Sequence, residues 1–154
     1  RLYFKDCYID GTTDFIFGPS TALFENCMIH SKRNSYVTAA STPKEAKYGY
    51  IFKHCKLTAE PGVDKVYLGR PWRPYAYTLF IECELGKHIV PAGWHNWGKQ
   101  SNEETARYME YKNTGEGANV SERVAWSKQL TKKEAEAVTV DAIFGTQSNW
   151  NPID

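Results

Sequence analysis

The 154-residue sequence lacks the features of several large classes of protein. No apolar run approaches the roughly 20 residues that a membrane-spanning helix requires. Neither sign of charge is in excess, since 19 lysines and arginines stand against 18 aspartates and glutamates, for a net charge of +1. This balance argues against a nucleic-acid partner and against binding to a membrane surface.

The sequence also lacks a metal-binding pattern. The cysteines form no CxxC pair, and the histidines are not spaced as ligand pairs on a helix. We therefore expect no metal site and interpret the histidines as solvated or core residues. An initiator methionine and a signal peptide are also lacking, so we expect the chain to be an excerpt of a longer protein.

What the sequence does contain is a fourfold repeat centred on its cysteines. In each copy a phenylalanine is followed three residues later by a cysteine, and two residues after that by isoleucine or leucine. The copies begin at Phe4, Phe24, Phe52 and Phe80, in steps of 20, 28 and 28 residues. Such internal similarity predicts a stacked architecture. The cysteine and the Ile/Leu share one strand face, whereas the phenylalanine needs a bend before the cysteine to point inward as well.

This repeat predicts an all-β right-handed parallel β-helix. Its units are rich in aromatic and β-branched residues, lack amphipathic helices, and are separated by glycine and proline. Each turn would add one Phe, one Cys and one Ile/Leu to interior columns spaced by about 4.8 Å. The alternative is a β-sandwich in which the matches are coincidental.

The whole chain is expected to be one domain, with its rungs over about residues 1–100 and a tail over about 101–154. A strand at Tyr108–Tyr111 and a short helix are predicted within this tail. Thr131 and Glu134 form a capping box that would open the helix, which continues to about Val138. We expect the tail to fold back along the coil or to close it, because solenoids need capped ends.

Asp14 is the first candidate functional residue. It lies directly before Phe15-Ile16-Phe17, and moving a carboxylate out of water costs several kcal/mol. Three segments after the repeats are predicted to stack in a second sheet: Thr12–Phe17, Tyr36–Ala40 and Val66–Arg70. Asp14 would then face outward, with Arg70 about two rungs or roughly 10 Å away. An arginine within hydrogen-bonding distance would orient the carboxylate. The alternative is a surface ion pair without a function.

Aromatic residues next to these candidates suggest a sugar-binding cleft. Gly69 and Pro71 fix the backbone around Arg70, and Trp72 follows. Trp94 and Trp97 come one strand later and could extend the same wall. Burial in the core is the alternative for each tryptophan.

The motifs "GTTDFIFG" (11–18) and "LGRPW" (68–72) resemble the two signature motifs of pectin methylesterases, carbohydrate esterase family 8. The segments "YVTAAST", "PAGW" and "EYKNTGEGA" resemble others of that family in the same order, so the likeness runs from residue 1 to about residue 150. The stretch "TAAST…KYG" leans towards the bacterial style. The resemblance implies a β-helix that hydrolyses C6 methyl esters of polygalacturonate without a cofactor or metal.

The resemblance also implies roles for individual residues. Asp14 corresponds to the family's nucleophile and Arg70 to the arginine that pairs with it. Phe17 and Trp72 correspond to aromatic residues that contact the galacturonate chain. Trp97 corresponds to a variable position that lines the cleft.

Further expectations concern Tyr75, the cysteines, the partner and the cellular setting. Tyr75 is a candidate for substrate binding. Stacked rungs would bring Cys7 and Cys27 near each other, within reach of a disulfide. Four cysteines allow three complete connectivities, and the sequence does not choose among them. The resemblance implies a disulfide between Cys7 and Cys27, as in some bacterial members. Pectin would be the partner. The parent protein is expected to be secreted, periplasmic or on the cell surface.

The sequence departs from the family's pattern in one large respect. The second catalytic aspartate belongs to a Gln-Asp pair about twenty residues before the nucleophile, but only thirteen residues precede Asp14 here. Asp6 and Asp10 are too close to be that residue, and the oxyanion-hole glutamines would also lie upstream. We therefore expect a C-terminal portion that is inactive alone and whose uncovered edge at 1–9 can self-associate.

A non-catalytic polysaccharide-binding β-helix is the alternative function. Other pectin-active β-helix enzymes fit less well. The sequence shows neither the acidic cluster that a calcium-dependent lyase needs nor the "GHG" motif of pectin hydrolases.

Overall fold

The computed structural model describes residues 1–145 and 152–153, and its chain winds into a right-handed parallel β-helix. All strand pairings in this part of the chain are parallel. The strands are β1 (Leu2–Lys5), β2 (Tyr8–Gly11), β3 (Ile16–Gly18), β4 (Ala22–Glu25), β5 (Met28–Ser31), β6 (Tyr36–Ala40), β7 (Tyr50–Lys53), β8 (Lys56–Ala59), β9 (Tyr67–Gly69), β10 (Tyr77–Ile81), β11 (Glu84–Leu85), β12 (Arg107–Tyr111) and β13 (Lys128–Gln129). The α-helices are α1 (Asn102–Thr105), α2 (Lys132–Glu136) and α3 (Val140–Phe144), and a 3-10 helix spans Glu116–Ala118.

The strands form three sheets rather than the two that the sequence predicted. Their orders are β1-β4-β7-β10-β12-β13, β2-β5-β8-β11 and β3-β6-β9. Each repeat is split into two strands by the residue before its cysteine, which adopts a left-handed conformation. The φ angles are 55° at Asp6, 52° at Asn26, 54° at His54 and 49° at Glu82. This corner is the bend that the Phe-to-Cys spacing required, so that prediction is confirmed.

The phenylalanine column is confirmed by ring stacking. Phe4, Phe24, Phe52 and Phe80 are in register, with ring centroids 4.8, 4.5 and 4.4 Å apart along the column and interplanar angles of 10° or less. Together with the Ile/Leu column, these rings fill the interior of the coil. Apolar burial of this kind is the main favourable contribution to folding.

The cysteines also form a column, but they are free thiols. In each step the residue after one cysteine donates its N–H to the carbonyl of the preceding cysteine, at 2.8 to 2.9 Å. The disulfide implied between Cys7 and Cys27 is not formed in this structure. The reason is local: the Cys27 thiol lies 3.5 Å from the Phe4 carbonyl, and the Cys7 thiol donates to the Lys5 carbonyl at 3.3 Å. Each thiol is therefore directed at a backbone carbonyl, that of Cys7 at its own corner and that of Cys27 in the preceding turn.

The tail continues the coil before it caps it. Strand β12 pairs with β10, so a further turn lies beyond the predicted limit of residue 100. The capping box of Thr131 and Glu134 is confirmed, although α2 ends at Glu136 and a second helix, α3, follows. Both helices pack on the outer face of the first sheet in an apolar cluster. The tail therefore folds back along the coil, as expected.

A buried ion pair replaces the aromatic column in this added turn. Glu110 is in register with Phe80, and Arg123 donates to its two carboxylate oxygens at 2.9 and 3.1 Å. The side chains of Glu110 and Arg123 are only 1% and 3% exposed. The interior of the coil thus ends on a paired charge.

Strands β1, β2 and β3 lie at one end of their sheets. Such free edges can pair with further strands, and the expected self-association of this edge stays a prediction. Among the described residues, no helix has the length and apolar character needed to cross a membrane.

Candidate active site

Asp14 lies at a sharp turn of the chain just before β3. Its φ of +48° is left-handed, so the strand begins only at Ile16 and does not cover the predicted Thr12–Phe17. The turn sends Ile16 into the core, where it is 7% exposed, and leaves Phe17 64% exposed. The Asp14 N–H donates to the Tyr36 carbonyl at 2.8 Å. Asp14 therefore projects outward while its neighbour Ile16 anchors the strand, as predicted.

Arg70 reaches Asp14 across the intervening strand. The register pairs Ile16 with Thr38 and Thr38 with Gly69, so Arg70 starts two rungs away from the turn. Its Nε donates to Asp14 Oδ1 at 3.0 Å and its Nη2 donates to Oδ2 at 2.6 Å. The predicted pairing is confirmed, and its two-point geometry fixes both the position and the plane of the carboxylate. About a fifth of each side chain remains exposed, 20% for Asp14 and 21% for Arg70.

Gly69 allows this strand to lie close to its neighbour. A Cβ at this position would lie 2.2 Å from Thr38 Oγ1 and 3.3 Å from the Trp94 ring. Thr38 is fully buried, and its hydroxyl donates to the Leu68 carbonyl at 3.0 Å. The glycine of "LGRPW" is therefore required by packing directly under the strand that carries Arg70.

The guanidinium of Arg70 lies between two aromatic rings. Its Cζ is 3.9 Å from the ring centroid of Tyr36 and 3.7 Å from that of Trp97. Both distances are within the range of cation–π attraction. Trp97 was predicted as a cleft residue, and it is 37% exposed at the site. Tyr36 was not predicted as a contact of Arg70. The sequence feature that could have indicated this contact is the position of Tyr36 at the start of the strand between Asp14 and Arg70.

His95 supports this arrangement from behind. Its Nδ1 accepts a hydrogen bond from the Trp97 N–H at 3.0 Å. Its ring packs edge-on against Tyr36 and Tyr67, at centroid distances of 5.4 and 5.2 Å. Burial, and secondarily the positive charge of Arg70, lowers the pKa of His95. No motif or spacing in the sequence indicated this role for His95.

Two exposed aromatic residues follow the charged pair closely in the sequence, Phe17 after Asp14 and Trp72 after Arg70. Phe17 and Trp72, 64% and 40% exposed, have ring centroids 6.1 Å apart at an angle of 67°. Arg73 lies over Trp72, with its Cζ 5.1 Å from the ring centroid. Trp94 is different: it is 1% exposed and stacked on Tyr108 at 4.3 Å. The suggestion that Trp94 extends the cleft wall is therefore wrong, because its ring fills the core.

Other sequence candidates are not joined to the Asp14–Arg70 pair. Tyr75 lies beside Lys44, whose Nζ is 5.3 Å from the ring centroid, and its hydrogen bonds and ring contacts do not include the pair. Asp6 accepts from Asn26 at 2.6 Å at the first corner. Within residues 1–145, no hydrogen bond or ion pair joins Asp14 to a second carboxyl group, and no set of three acidic, histidine or cysteine residues could hold a metal.

Comparison with known proteins agrees with this fold. The Pectinesterase family model matches residues 1–147. Pectinesterase 31 of Arabidopsis thaliana is 44% identical over 136 residues, which cover 88% of this chain and 43% of that protein. The structure of pectin methylesterase from carrot has a TM-score of 0.86 and 34% identity, over 93% of this chain and 50% of that one. For pectin methylesterase from Yersinia enterocolitica the TM-score is 0.79 and the identity 30%, over 95% and 54%.

The chain therefore belongs to the pectinesterase family. The carrot structure is more similar than the Yersinia enterocolitica structure in both identity and TM-score, so the expected bacterial style is not supported. The chain spans about half the length of these relatives.

Proposed function

We propose that this chain carries the nucleophile of a pectin methylesterase, which hydrolyses the C6 methyl esters of polygalacturonate. The observation that carries this proposal is the Asp14 carboxylate, which Arg70 holds at two points. Phe17 and Trp72, which follow Asp14 and Arg70 closely in the sequence, present exposed rings that pack against each other. A related pectin methylesterase has been crystallised in complex with a hexasaccharide. Stacking of sugar rings on the exposed aromatic faces supports binding of the same kind of chain here.

The geometry leaves Asp14 able to attack an ester carbon. Each carboxylate oxygen has two lone-pair positions, and the pairing with Arg70 uses one position on each oxygen. The other position can form a bond to C6, and cleavage of the C6–OCH₃ bond then leaves an acyl-enzyme anhydride. Water hydrolyses the anhydride, which returns Asp14 as a carboxylate and releases the free galacturonate carboxyl group.

Departing methoxide needs a proton, and we propose that its donor comes from outside this chain. No other acidic side chain pairs with Asp14 in the described residues. Asp6 is engaged by Asn26, and Asp10 lies on β2, paired in register with His30. Loss of a general acid typically costs 10²–10⁴-fold in rate, and loss of an oxyanion donor costs a further 10²–10³-fold. The 154 residues alone should therefore have no measurable activity.

The proposed setting is outside the cell, where methylesterified homogalacturonan is found. We propose pectin as the partner and the parent protein as secreted, periplasmic or at the cell surface. The alternative is a chain that binds pectin without turnover, and the half-length match to its relatives gives that alternative weight.

A methanol-release assay on methylated pectin tests the proposal. A longer protein that contains these residues should release methanol, and Asp14→Asn should abolish the release because the amide is not a nucleophile. Arg70→Lys should lower turnover strongly, since a lysine keeps the charge but cannot hold the carboxylate at two points. Asp10→Asn, on a different sheet, serves as the matched control and should retain activity.

Three results would contradict the proposal or a part of it. Turnover that survives in Asp14→Asn would reject Asp14 as the nucleophile. Wild-type turnover by the 154-residue chain would show that a residue within it, Asp10 or Tyr75, donates the proton. Binding of oligogalacturonates that is lost in Trp72→Ala, without methanol release from any form, would favour the non-catalytic alternative.

A further inference from the structure

Three consecutive contacts connect His95 to the carboxylate of Asp14. The Nδ1 atom of His95 accepts from the backbone N–H of Trp97 at 3.0 Å. The Trp97 ring lies on the guanidinium of Arg70 at 3.7 Å, and that guanidinium donates twice to Asp14. The backbone of Trp97 is left-handed, with φ of +64°, a conformation that a non-glycine residue keeps only when its surroundings hold it.

The bond from His95 to Trp97 depends on the protonation state of the imidazole. Nδ1 can accept a hydrogen bond only in the neutral ring with its proton on Nε2, since both nitrogens of the protonated ring are donors. The acceptor sits two residues before the N–H that it binds, which is the geometry of an Asx turn. Asn96 makes the same turn one residue later, with its Oδ1 accepting from Gly98 at 2.8 Å.

We propose that His95 is a positioning residue that holds Trp97 over Arg70 while its ring is neutral and releases it on protonation. The pair of Arg70 and Asp14 then becomes sensitive to pH through a residue that touches neither the carboxylate nor the substrate. The consequence for turnover rests on the methylesterase activity proposed above, whereas the contact itself does not.

The groups that face His95 favour its neutral form. Tyr36 packs against it from β6 and Tyr67 from β9, and the Arg70 cation follows β9 directly. The His95 N–H donates to the Gly69 carbonyl at 3.1 Å, which places its backbone beside the same strand. A second cation on the imidazole would be unfavourable beside Arg70 and in this half-buried position, so burial and Arg70 both lower the pKa of His95.

The direction of the pH effect follows from this shift. At neutral pH His95 is uncharged and the contact of Trp97 with Arg70 is intact. As the pH falls through the lowered pKa of His95, the Trp97 N–H loses its acceptor and the ring is released. The Arg70 guanidinium still contacts the Tyr36 ring, so the Arg70 side chain becomes less ordered but is not fully released.

Nuclear magnetic resonance of the 154-residue chain tests the contact without any need for activity. The backbone amide of Trp97 and the Nε–H of Arg70 would be followed between about pH 4.5 and 7.5, where lysine and arginine stay charged. Both signals should change together, with one midpoint pH that equals the midpoint of the His95 imidazole titration. This midpoint should lie below the ordinary pKa of a histidine side chain.

Two substitutions of His95 separate positioning from a merely structural effect. His95→Asn retains an acceptor in the Asx-turn position but cannot titrate, so both signals should keep their neutral-pH values across the range. His95→Ala removes the acceptor, so both should resemble acidic wild type at every pH. The matched control is His54→Asn, at an exposed left-handed corner. In this variant the signals of Trp97 and Arg70 should change with pH as they do in the wild type. Thermal unfolding would establish that each variant is folded.

Different midpoints for Trp97 and His95, or identical behaviour of the asparagine and alanine variants, would overturn the proposal. In a protein shown to release methanol, His95→Ala should lower kcat by about 2- to 30-fold, the range that one cation–π contact can supply. His95→Asn should restore kcat, and it should remove the part of the decrease in kcat at acidic pH that protonation of His95 causes. If no protein carrying this chain releases methanol, the resonance experiment still decides whether His95 holds Trp97.

Discussion

Replacing Arg123 with methionine should destabilise the chain far more than a typical surface change. Arg123 and Glu110 close the open end of the aromatic column, with side chains 3% and 1% exposed. Methionine fills a similar volume but carries no charge. The substitution therefore leaves the Glu110 carboxylate buried with two amide donors, Asn113 Nδ2 at 3.4 Å and Gln129 Nε2 at 3.2 Å.

The expected magnitude follows from the uncompensated charge. Breaking a buried ion pair from one side costs about 3–5 kcal/mol. A chain of this length loses about 2–4 °C in melting temperature per kcal/mol, so the melting temperature should fall by about 6–20 °C. The whole free energy of unfolding of a domain is only about 5–15 kcal/mol. Arg123→Met should therefore remove a large part of it.

The opposite half of the pair should be less sensitive. Arg123 also donates to the carbonyls of Val90, Pro91 and Gly117, at 3.3, 3.1 and 2.7 Å. Glu110→Gln leaves these three acceptors in place and keeps an amide oxygen near the guanidinium. We expect this variant to cost about 1.5–3 kcal/mol, the order of one hydrogen bond to a charged group.

Urea unfolding of the wild type and both variants measures these differences by linear extrapolation. Lys132→Met is the matched control, because its partner Glu136 lies at an exposed pair, 76% and 66% accessible, and such pairs contribute little. A loss below 1 kcal/mol for Arg123→Met would refute the reasoning. So would equal losses for Arg123→Met and Glu110→Gln, because the carbonyl acceptors would then be irrelevant.

The remaining predictions concern packing and thiols. Gly69→Ala should lower the free energy of unfolding by about 1–3 kcal/mol, because its Cβ would lie 2.2 Å from Thr38 Oγ1. Adding Thr38→Ala should recover part of this loss. If the double variant recovers nothing, the strain does not come from the contact with Thr38. Thiol titration without reductant should find Cys7 reactive in the folded chain and Cys83 protected, because Cys83 is fully buried and burial raises its pKa. Four thiols should react after unfolding, whereas two would reveal a disulfide.

The repeat was the part of the fold that the sequence predicted best. Phe, Cys and Ile/Leu recur because each column buries the same side chain at every turn, and the stacked rings of Phe24 and Phe52 show the result directly. The sequence did not reveal that each repeat is two strands. The corner residue is Asp6, Asn26, His54 or Glu82, and its left-handed conformation is a property of position rather than of one residue type.

The added turn was missed for a related reason. Glu110 and Asn113 occupy the places of phenylalanine and cysteine, so the pattern is broken although the coil continues. Asn113 Oδ1 accepts from the Cys83 N–H at 2.9 Å, which extends the backbone pairing with a side chain. The buried pair of Glu110 and Arg123 takes the place of the phenylalanine in this turn. The periodicity by which the turn could be recognised is therefore lost.

The site likewise has residues whose positions the repeat pattern predicts and residues whose positions it does not predict. Asp14 and Arg70 lie near strands whose register is set by the repeat, so their separation of two rungs could be estimated before the contact was seen. Tyr36 begins the strand between Asp14 and Arg70. Only the path of the Arg70 side chain shows that the Tyr36 ring contacts the guanidinium. Trp97 and His95 lie in a segment without a repeat, where a left-handed residue and one backbone hydrogen bond set the direction of the indole. A regular coil thus positions the two charged groups and the Tyr36 ring, and an irregular loop holds Trp97, the second ring on Arg70. Substitutions of Trp97 or His95 in that loop should therefore alter the charged pair while leaving the coil intact.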